Sequence, residues 1–244
     1  MRGAGLYVLS AALPTSTAFV REHLRAPLTL VLLIAIPVFF VLIFASVLGE
    51  FAKALGGDLM AQSATAIGAG WAAAFLSGTL AFFQVSSSRS ADRRLAAAGL
   101  GPVRVAVSRI VAALAIGLTV SAVAFVTLWL RSGIGHPFHA AVAIFTFAAI
   151  YIGIGALIGA FVKGQLEGSL LVMLVFSVDA FSGPQMTSNG LVSWTPTRNA
   201  ANLLIAAGGG EGSAGGDWIG SAAVALGALV VALVAFWFAA RSRA

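Results

Sequence analysis

Six apolar stretches, at 28–49, 64–85, 105–130, 138–162, 167–182 and 218–240, occupy most of the chain. A backbone in hydrocarbon must satisfy its own polar groups, so each run of about 20 apolar residues reads as a membrane-spanning helix. The expected fold is therefore an all-α polytopic membrane protein with six transmembrane helices. The fifth run is the shortest, and the others are long enough to span with some tilt. Charged residues make up 9% of the chain, against about 25% in a soluble domain. No stretch remains for a separate soluble core, so 1–244 reads as a single transmembrane domain.

The charges fix an orientation. Eleven of the fourteen Lys and Arg residues lie on one side of the spans: Arg2, Arg21, Arg25, Arg89, Arg93, Arg94, Arg104, Arg109, Lys163, Arg241 and Arg243. The other side holds Lys53, Arg131 and Arg198, beside Glu50, Asp58, Glu211 and Asp217. The positive-inside rule then places both termini in the cytoplasm, as an even number of spans requires. The net charge of +6 would point to nucleic acid in a soluble protein. Here it gathers at helix ends along one membrane face, so no nucleic-acid partner is expected. The chain has no cysteine, which excludes disulfides and thiolate metal sites.

Ahead of the first span, Pro14 and then Thr15 or Ser16 suit the start of a helix over 15–26. On it Phe19, Val20 and Leu24 face lipid while Arg21, Glu22 and Arg25 face water and headgroups. Pro27 turns the chain into the bilayer. An unstructured basic flank is the alternative. A cleaved signal peptide fits poorly, because Ser10 and Pro14 break the short apolar run.

The loop at 86–108 is the only one on the basic side long enough to hold a helix. Ser88 or Ser90 can cap it, Asp92 suits its first turn, and Gly99-Leu100-Gly101-Pro102 stops it. A short helix over 89–101 would carry Arg93 and Arg94 beneath the membrane. Equally, these arginines can act only to hold the spans in place.

The order of parts resembles the membrane subunit of ATP-binding-cassette exporters of the ABC type-2 permease family. Phe19-Val20-Arg21-Glu22-His23-Leu24-Arg25-Ala26-Pro27 is similar to the family's basic surface helix. The run Arg89-Ser90-Ala91-Asp92-Arg93-Arg94-Leu95, continuing through Ala96-Ala97-Ala98 to Gly99-Leu100-Gly101-Pro102, is similar to its coupling helix. The resemblance implies that Arg89, Asp92, Arg93, Arg94, Leu95 and Leu100 contact a separate ATPase subunit. ATP and magnesium would sit on that partner, with no cofactor in this chain. It also implies a second permease copy or a related permease, and a re-entrant outward segment at 183–216. The Pro-rich pattern usual in that segment is thin here, with only Pro184 and Pro196.

Within 183–216 the residues themselves predict an amphipathic helix over Leu191–Ala207, with Leu191, Trp194, Leu203 and Leu204 apolar. Trp194 and Trp218 suit the membrane interface. A half-helix dipping into the outer leaflet needs protein around it; an interfacial helix is the alternative. Gly155 and Gly159, four apart, predict a close helix contact within the subunit.

Chemistry-bearing motifs are sparse. No phosphate loop or nucleophile elbow is present, so the chain is not expected to be an enzyme. His136 and His139 lack a third ligand for a metal site. Glu167 is expected to pair with Lys163 at i, i+4. Asp179 lies twelve residues further, about 18 Å at helical rise. A carboxylate at that depth is costly and marks a candidate pathway or outward-gate residue, with Trp194, or a cap for the next segment.

The sequence thus reads as the permease subunit of an ATP-driven exporter in a prokaryotic plasma membrane. The other readings are an ATP-independent secondary transporter or channel, and a scaffolding membrane subunit.

Overall fold

A computed structural model describes residues 27–57, 59–184, 186, 195–209 and 215–241. The expected surface helix, with Phe19, Val20, Arg21, Glu22, Leu24 and Arg25, lies outside these residues, as does Trp194. The described residues are helical almost throughout and contain no strand.

The first apolar run does not form one straight helix. Helix α1 (Pro27–Phe39) and helix α2 (Ala45–Ala54) flank a π-helical turn at Phe40–Phe44. The two halves meet at 50°. Pro37 inside α1 removes one rung of the backbone ladder, and the wider turn follows directly. The Leu42 carbonyl in that turn accepts a hydrogen bond from Arg131 Nη1.

Helix α3 (Ala61–Leu95) runs 35 residues without interruption, about 52 Å at helical rise. That exceeds the roughly 30 Å of bilayer hydrocarbon. The segment expected as a separate helix at 89–101 is therefore the overhang of the second span. Asp92, Ser88 and Ser90 lie inside α3 rather than capping a new helix, because 86–95 contains neither Gly nor Pro to break the ladder. Ala96–Leu100 forms another π turn, in which Gly99 takes φ 105°. Gly101, at φ 74°, then ends the turn, and both left-handed conformations favour glycine.

Helix α4 (Pro102–Ser132) starts at Pro102 and ends at Gly133, and helix α5 (Pro137–Phe161) starts at Pro137. Both prolines occupy the position where a missing N–H costs nothing. Helix α6 (Gln165–Phe181), short helix α7 (Arg198–Ala207) and helix α8 (Gly215–Arg241) complete the order.

Four of these helices, α3, α4, α5 and α8, are long and apolar enough to cross a membrane, and the bent α1–α2 pair makes a fifth. The chain is thus a multi-pass membrane protein. The remaining expected span, the fifth run at 167–182, corresponds to α6, whose 17 residues reach only about 25 Å.

Helix α5 stands at the centre, packed chiefly against α3 and α8. Its glycines set how closely it sits. A Cβ on Gly155 would overlap the Gly78 carbonyl, and one on Gly159 would press on the Phe82 carbonyl and Val85. On another face, Gly153 meets the Ala228 backbone of α8. The Gly155–Gly159 pair therefore makes the close contact that its spacing predicts, with α3. Trp71, Phe82, Phe147 and Tyr151 are fully buried around this axis. At the periphery, Leu118, Val126 and Leu130 of α4 and Ile219, Leu226 and Val230 of α8 are exposed, as befits surfaces facing lipid.

The bundle has two ends. Gly209 approaches Gln62, and Gly135 approaches the Ala207 carbonyl, so the start of α3, the turn at 133–136 and the end of α7 share one end. Arg89 reaches the Gly159 and Val162 carbonyls, which places 89–101 and 162–164 together at the other. Among the described residues, Arg89, Arg94, Arg104 and Lys163 fall at the second end, and Lys53 and Arg131 at the first. Arg198 differs, because it starts α7 at the end of that helix remote from Ala207.

Candidate functional site

At the arginine-rich end, the overhang of α3 is fastened at two points. Arg89 donates from Nε to the Gly159 carbonyl at 3.1 Å, and its Nη2 reaches the carbonyls of Gly159 and Val162. These carbonyls close α5, where the helix leaves acceptors unsatisfied and its dipole favours a cation. Three residues on, Asp92 Oδ1 accepts from Arg109 Nε at 3.1 Å and Nη2 at 2.8 Å. Both side chains are 5% exposed. The pair joins α3 to α4 in a buried, hydrogen-bonded arrangement.

Of the residues expected to contact a partner protein, half-buried Arg89 is engaged by the carbonyls that close α5, and buried Asp92 by Arg109 of the following helix. Arg94 is exposed, while Leu95 and Leu100 are half-buried. The Arg93 side chain lies outside the described residues. Leu95 ends α3 and Leu100 ends the π turn, so the two leucines and Arg94 belong to one short, rigidly mounted ledge.

The nearby carboxylate Glu167 departs from expectation too. Among the described residues the ion pairs are Lys53–Glu50 and Arg109–Asp92, and Lys163–Glu167 is not one. Helical i, i+4 spacing does not apply across it: Val162 and Gly164 are extended, and α6 begins only at Gln165.

A second site lies where α5, α6 and α7 meet. Asp179, near the end of α6, is 3% exposed. Its Oδ2 accepts hydrogen bonds from the Tyr151 hydroxyl at 2.8 Å and the Thr197 hydroxyl at 2.9 Å. Tyr151 is fully buried on α5, and Thr197, 1% exposed, immediately precedes α7. The carboxylate therefore meets the residue that precedes the next helical segment. Asp179 lies fourteen positions beyond Gln165, about 21 Å at helical rise, so the site is remote from the arginine-rich end.

The wall of the site is apolar and aromatic. Phe176, one turn before Asp179, packs edge-on against both Trp71 and Tyr151. The Trp71 ring lies beside Gly183, where a Cβ would sit 3.3 Å from it. Asp179 Oδ1, Trp71 Nε1 and Thr195 Oγ1 are buried without a hydrogen-bond partner. Helix α7, on the far side, is buried along most of its length, enclosed by α3, α5 and α8. It is shorter than the predicted helix over Leu191–Ala207, and residues 187–194 lie outside the described residues. An amphipathic surface helix does not fit such burial.

At the opposite end from the arginines, the rings of His136 and His139 are 5.2 Å apart, and His139 packs edge-on against Trp218. No group of three or more metal-ligating acidic, histidine or cysteine side chains occurs among the described residues.

No protein-family model matches the chain, and neither does any curated protein or solved structure. Sequence reasoning missed Tyr151, Thr197 and the role of Arg109. Tyr151 and Asp179 are 28 positions apart, and Arg109 and Asp92 are 17 apart. The available signal was compositional: each is a polar side chain within or bordering an apolar run, and such groups seek partners.

Proposed function

We propose that this chain is the permease subunit of an ATP-driven exporter, working with a separate ATPase and a second permease copy. The reading is supported most by the ledge at Arg94, Leu95 and Leu100. It stands on the overhang of a helix that Arg89 ties to α5 and that the Asp92–Arg109 pair ties to α4. A push on this ledge would move three long apolar helices as one body, which is what coupling to an external motor requires. The basic end would face the cytoplasm, α6 would complete a sixth span, and α7 would be the outward re-entrant segment. The chain itself would carry no ATPase site.

The test is co-purification from native membranes in mild detergent. An ATPase should accompany the chain, and its hydrolysis should depend on the chain. Topology is checked separately, because the protein has no cysteine of its own. A single cysteine at Ala98 should resist an impermeant thiol reagent in intact cells, whereas one at Ser213 should react. Labelling at Ala98 from outside would refute both the orientation and the ledge.

One observation favours a second reading. Asp179 is a buried carboxylate whose hydrogen bonds come from neutral hydroxyls, as suits an ATP-independent carrier. Substrate movement in vesicles free of nucleotide would select that reading.

A further inference from the structure

We propose that Asp179 is a proton-binding site, and that its protonation loosens α7 from the centre of the bundle. The inference stands apart from the transport reading, since it involves no residue of the ledge.

Both oxygens of the carboxylate bear on it. Oδ2 collects two donors, the hydroxyls of Tyr151 and Thr197. Oδ1 is buried and partnerless, so it is the oxygen on which a proton is added. No bond has to break for that proton to arrive. Its arrival nevertheless weakens what Oδ2 holds, because hydrogen bonds to an ionised acceptor are roughly twice as strong as neutral ones. The Thr197 bond is the one that matters for motion. Tyr151 is embedded in the central helix, whereas Thr197 is the last residue before α7. Ionised Asp179 thus pins the start of α7 to α5 and α6, and neutral Asp179 releases it.

The start of α7 adds to the same effect. Ten residues of helix present a partial positive charge at that end, which favours the ionised carboxylate and is wasted on the neutral acid. Around the carboxylate the wall is apolar, with Phe176 packed on Trp71 and Tyr151, so water does not take the place of the Thr197 bond once it is weakened.

Other titratable groups near these elements are few. Tyr151 is the partner on α5, whose other titratable residue, His139, is twelve positions away, about 18 Å at helical rise. Arg198 follows Thr197 on α7 with an exposed side chain. Helix α2 touches the end of α6 through Phe51 and Phe181, and its Glu50 and Lys53 pair with each other in solvent. On α3, Arg89, Asp92 and Arg94 lie 18 or more residues beyond Trp71, about 27 Å away. Asp217 on α8 accepts from Asn202 further along α7. Glu167 is exposed at the far end of α6.

The experiment uses the full chain in lipid nanodiscs, taken from about pH 9 to about pH 5. Infrared difference spectra report carboxyl protonation, and hydrogen exchange, expressed as protection relative to the free peptide rate, reports the seating of 198–207. A protonated-carboxyl band should grow on acidification in the wild type and be missing in Asp179→Asn. Protection of 198–207 should fall at least tenfold over the same transition, while 140–150 in α5 stays unchanged. In Asp179→Asn, protection of 198–207 should no longer depend on pH. Thr197→Val and Tyr151→Phe each remove one donor to the ionised form, so the transition should move to higher pH in both. These variants keep the test decisive should Asp179→Asn fail to fold. Absence of a titrating band assigned to Asp179 would overturn the proposal. A band that titrates while 198–207 keeps constant protection would overturn the coupling. A change in protection driven by sodium chloride at constant pH, and lost in Asp179→Asn, would replace the proton by an alkali cation and overturn it equally.

Discussion

Two aspartates are buried in this protein to nearly the same degree, Asp92 at 4% exposure and Asp179 at 3%, and their surroundings give them opposite characters. Asp92 faces a guanidinium that holds one of its oxygens with two hydrogen bonds, so the pair carries no net charge. Asp179 faces two neutral hydroxyls. The first arrangement is a fastener: neither partner can change charge without stranding the other in the interior. In the second no partner carries a charge, so a change of charge on Asp179 would strand no opposite charge in the interior. Burial alone therefore does not separate a structural carboxylate from a responsive one; the partner does.

The contrast breaks most visibly at Arg109. Arg109→Ala leaves Asp92 buried without its cation, and such a loss costs about 3–5 kcal/mol. The variant should unfold at much lower denaturant concentration in detergent, as read by the loss of helical circular dichroism. Replacing both partners, Asp92→Leu with Arg109→Met, should recover most of that loss, since well-packed apolar pairs often match buried ion pairs. A double variant as unstable as the single one would show that the pair contributes more than mutual neutralisation.

Next in size is Gly155→Val. The added side chain would meet the Gly78 carbonyl, which is backbone and cannot rotate away. Overpacking of this kind costs about 1–3 kcal/mol or more, and the helices α3 and α5 that position both aspartates would separate. Thermal unfolding should shift down, with Gly227→Val as a control, since nothing lies within 4 Å of a Cβ there. Equal shifts in the two variants would remove the close α3–α5 contact from the argument.

Asp179→Asn should be milder than Arg109→Ala. The amide oxygen can still accept from Tyr151 and Thr197, so only the charge-assisted part of the two bonds is lost. That amounts to about 1–2 kcal/mol at a pH where the acid is ionised. Equilibrium unfolding of the two variants at alkaline pH checks the ranking. An Asp179→Asn loss as large as that of Arg109→Ala would make Asp179 a fastener as well.

Much of this architecture is legible in the sequence. Apolar runs, prolines at 102 and 137, and glycines at 101 and 133 locate α4, α5 and α8 to within a few residues, because these signals are local. The errors arise where partners distant in the chain decide. Asp92 looks like a first-turn residue of a new helix only while Arg109 is ignored. The 61–95 helix looks divided only if the edge of the apolar run is taken as a helix end, whereas backbone bonding continues wherever Ser, Arg and Ala tolerate it. Similarly, 28–49 looks straight only while Pro37, which interrupts the backbone ladder ahead of the turn at Phe40–Phe44, is ignored. Asp179 was recognisable as unusual from its position in an apolar run. Its hydroxyl partners were not, since nothing in the chain links 151, 179 and 197 before it folds.

The smallest expected effect on the fold belongs to Leu95→Asp, and its smallness is what makes it informative. Leu95 is half-buried at the last residue of α3, with the exposed Arg94 beside it. A change at such a position is usually worth within about 0.5 kcal/mol of stability. The fastening through Arg89, Asp92 and Arg109 is untouched, so unfolding and membrane insertion should match the wild type. If the ledge docks on an ATPase, however, the same change removes an apolar anchor at the interface. Such anchors are worth about 1–4 kcal/mol, enough to lower partner occupancy tenfold or more. Quantifying the ATPase that co-purifies with equal amounts of wild-type and variant chain gives the comparison. Normal stability with lost partner would separate the ledge from the fasteners beneath it. Full retention of the partner by a correctly inserted Leu95→Asp chain would refute the ledge as a coupling surface, leaving Arg94 and its neighbours the purely topological role that their positive charge allows.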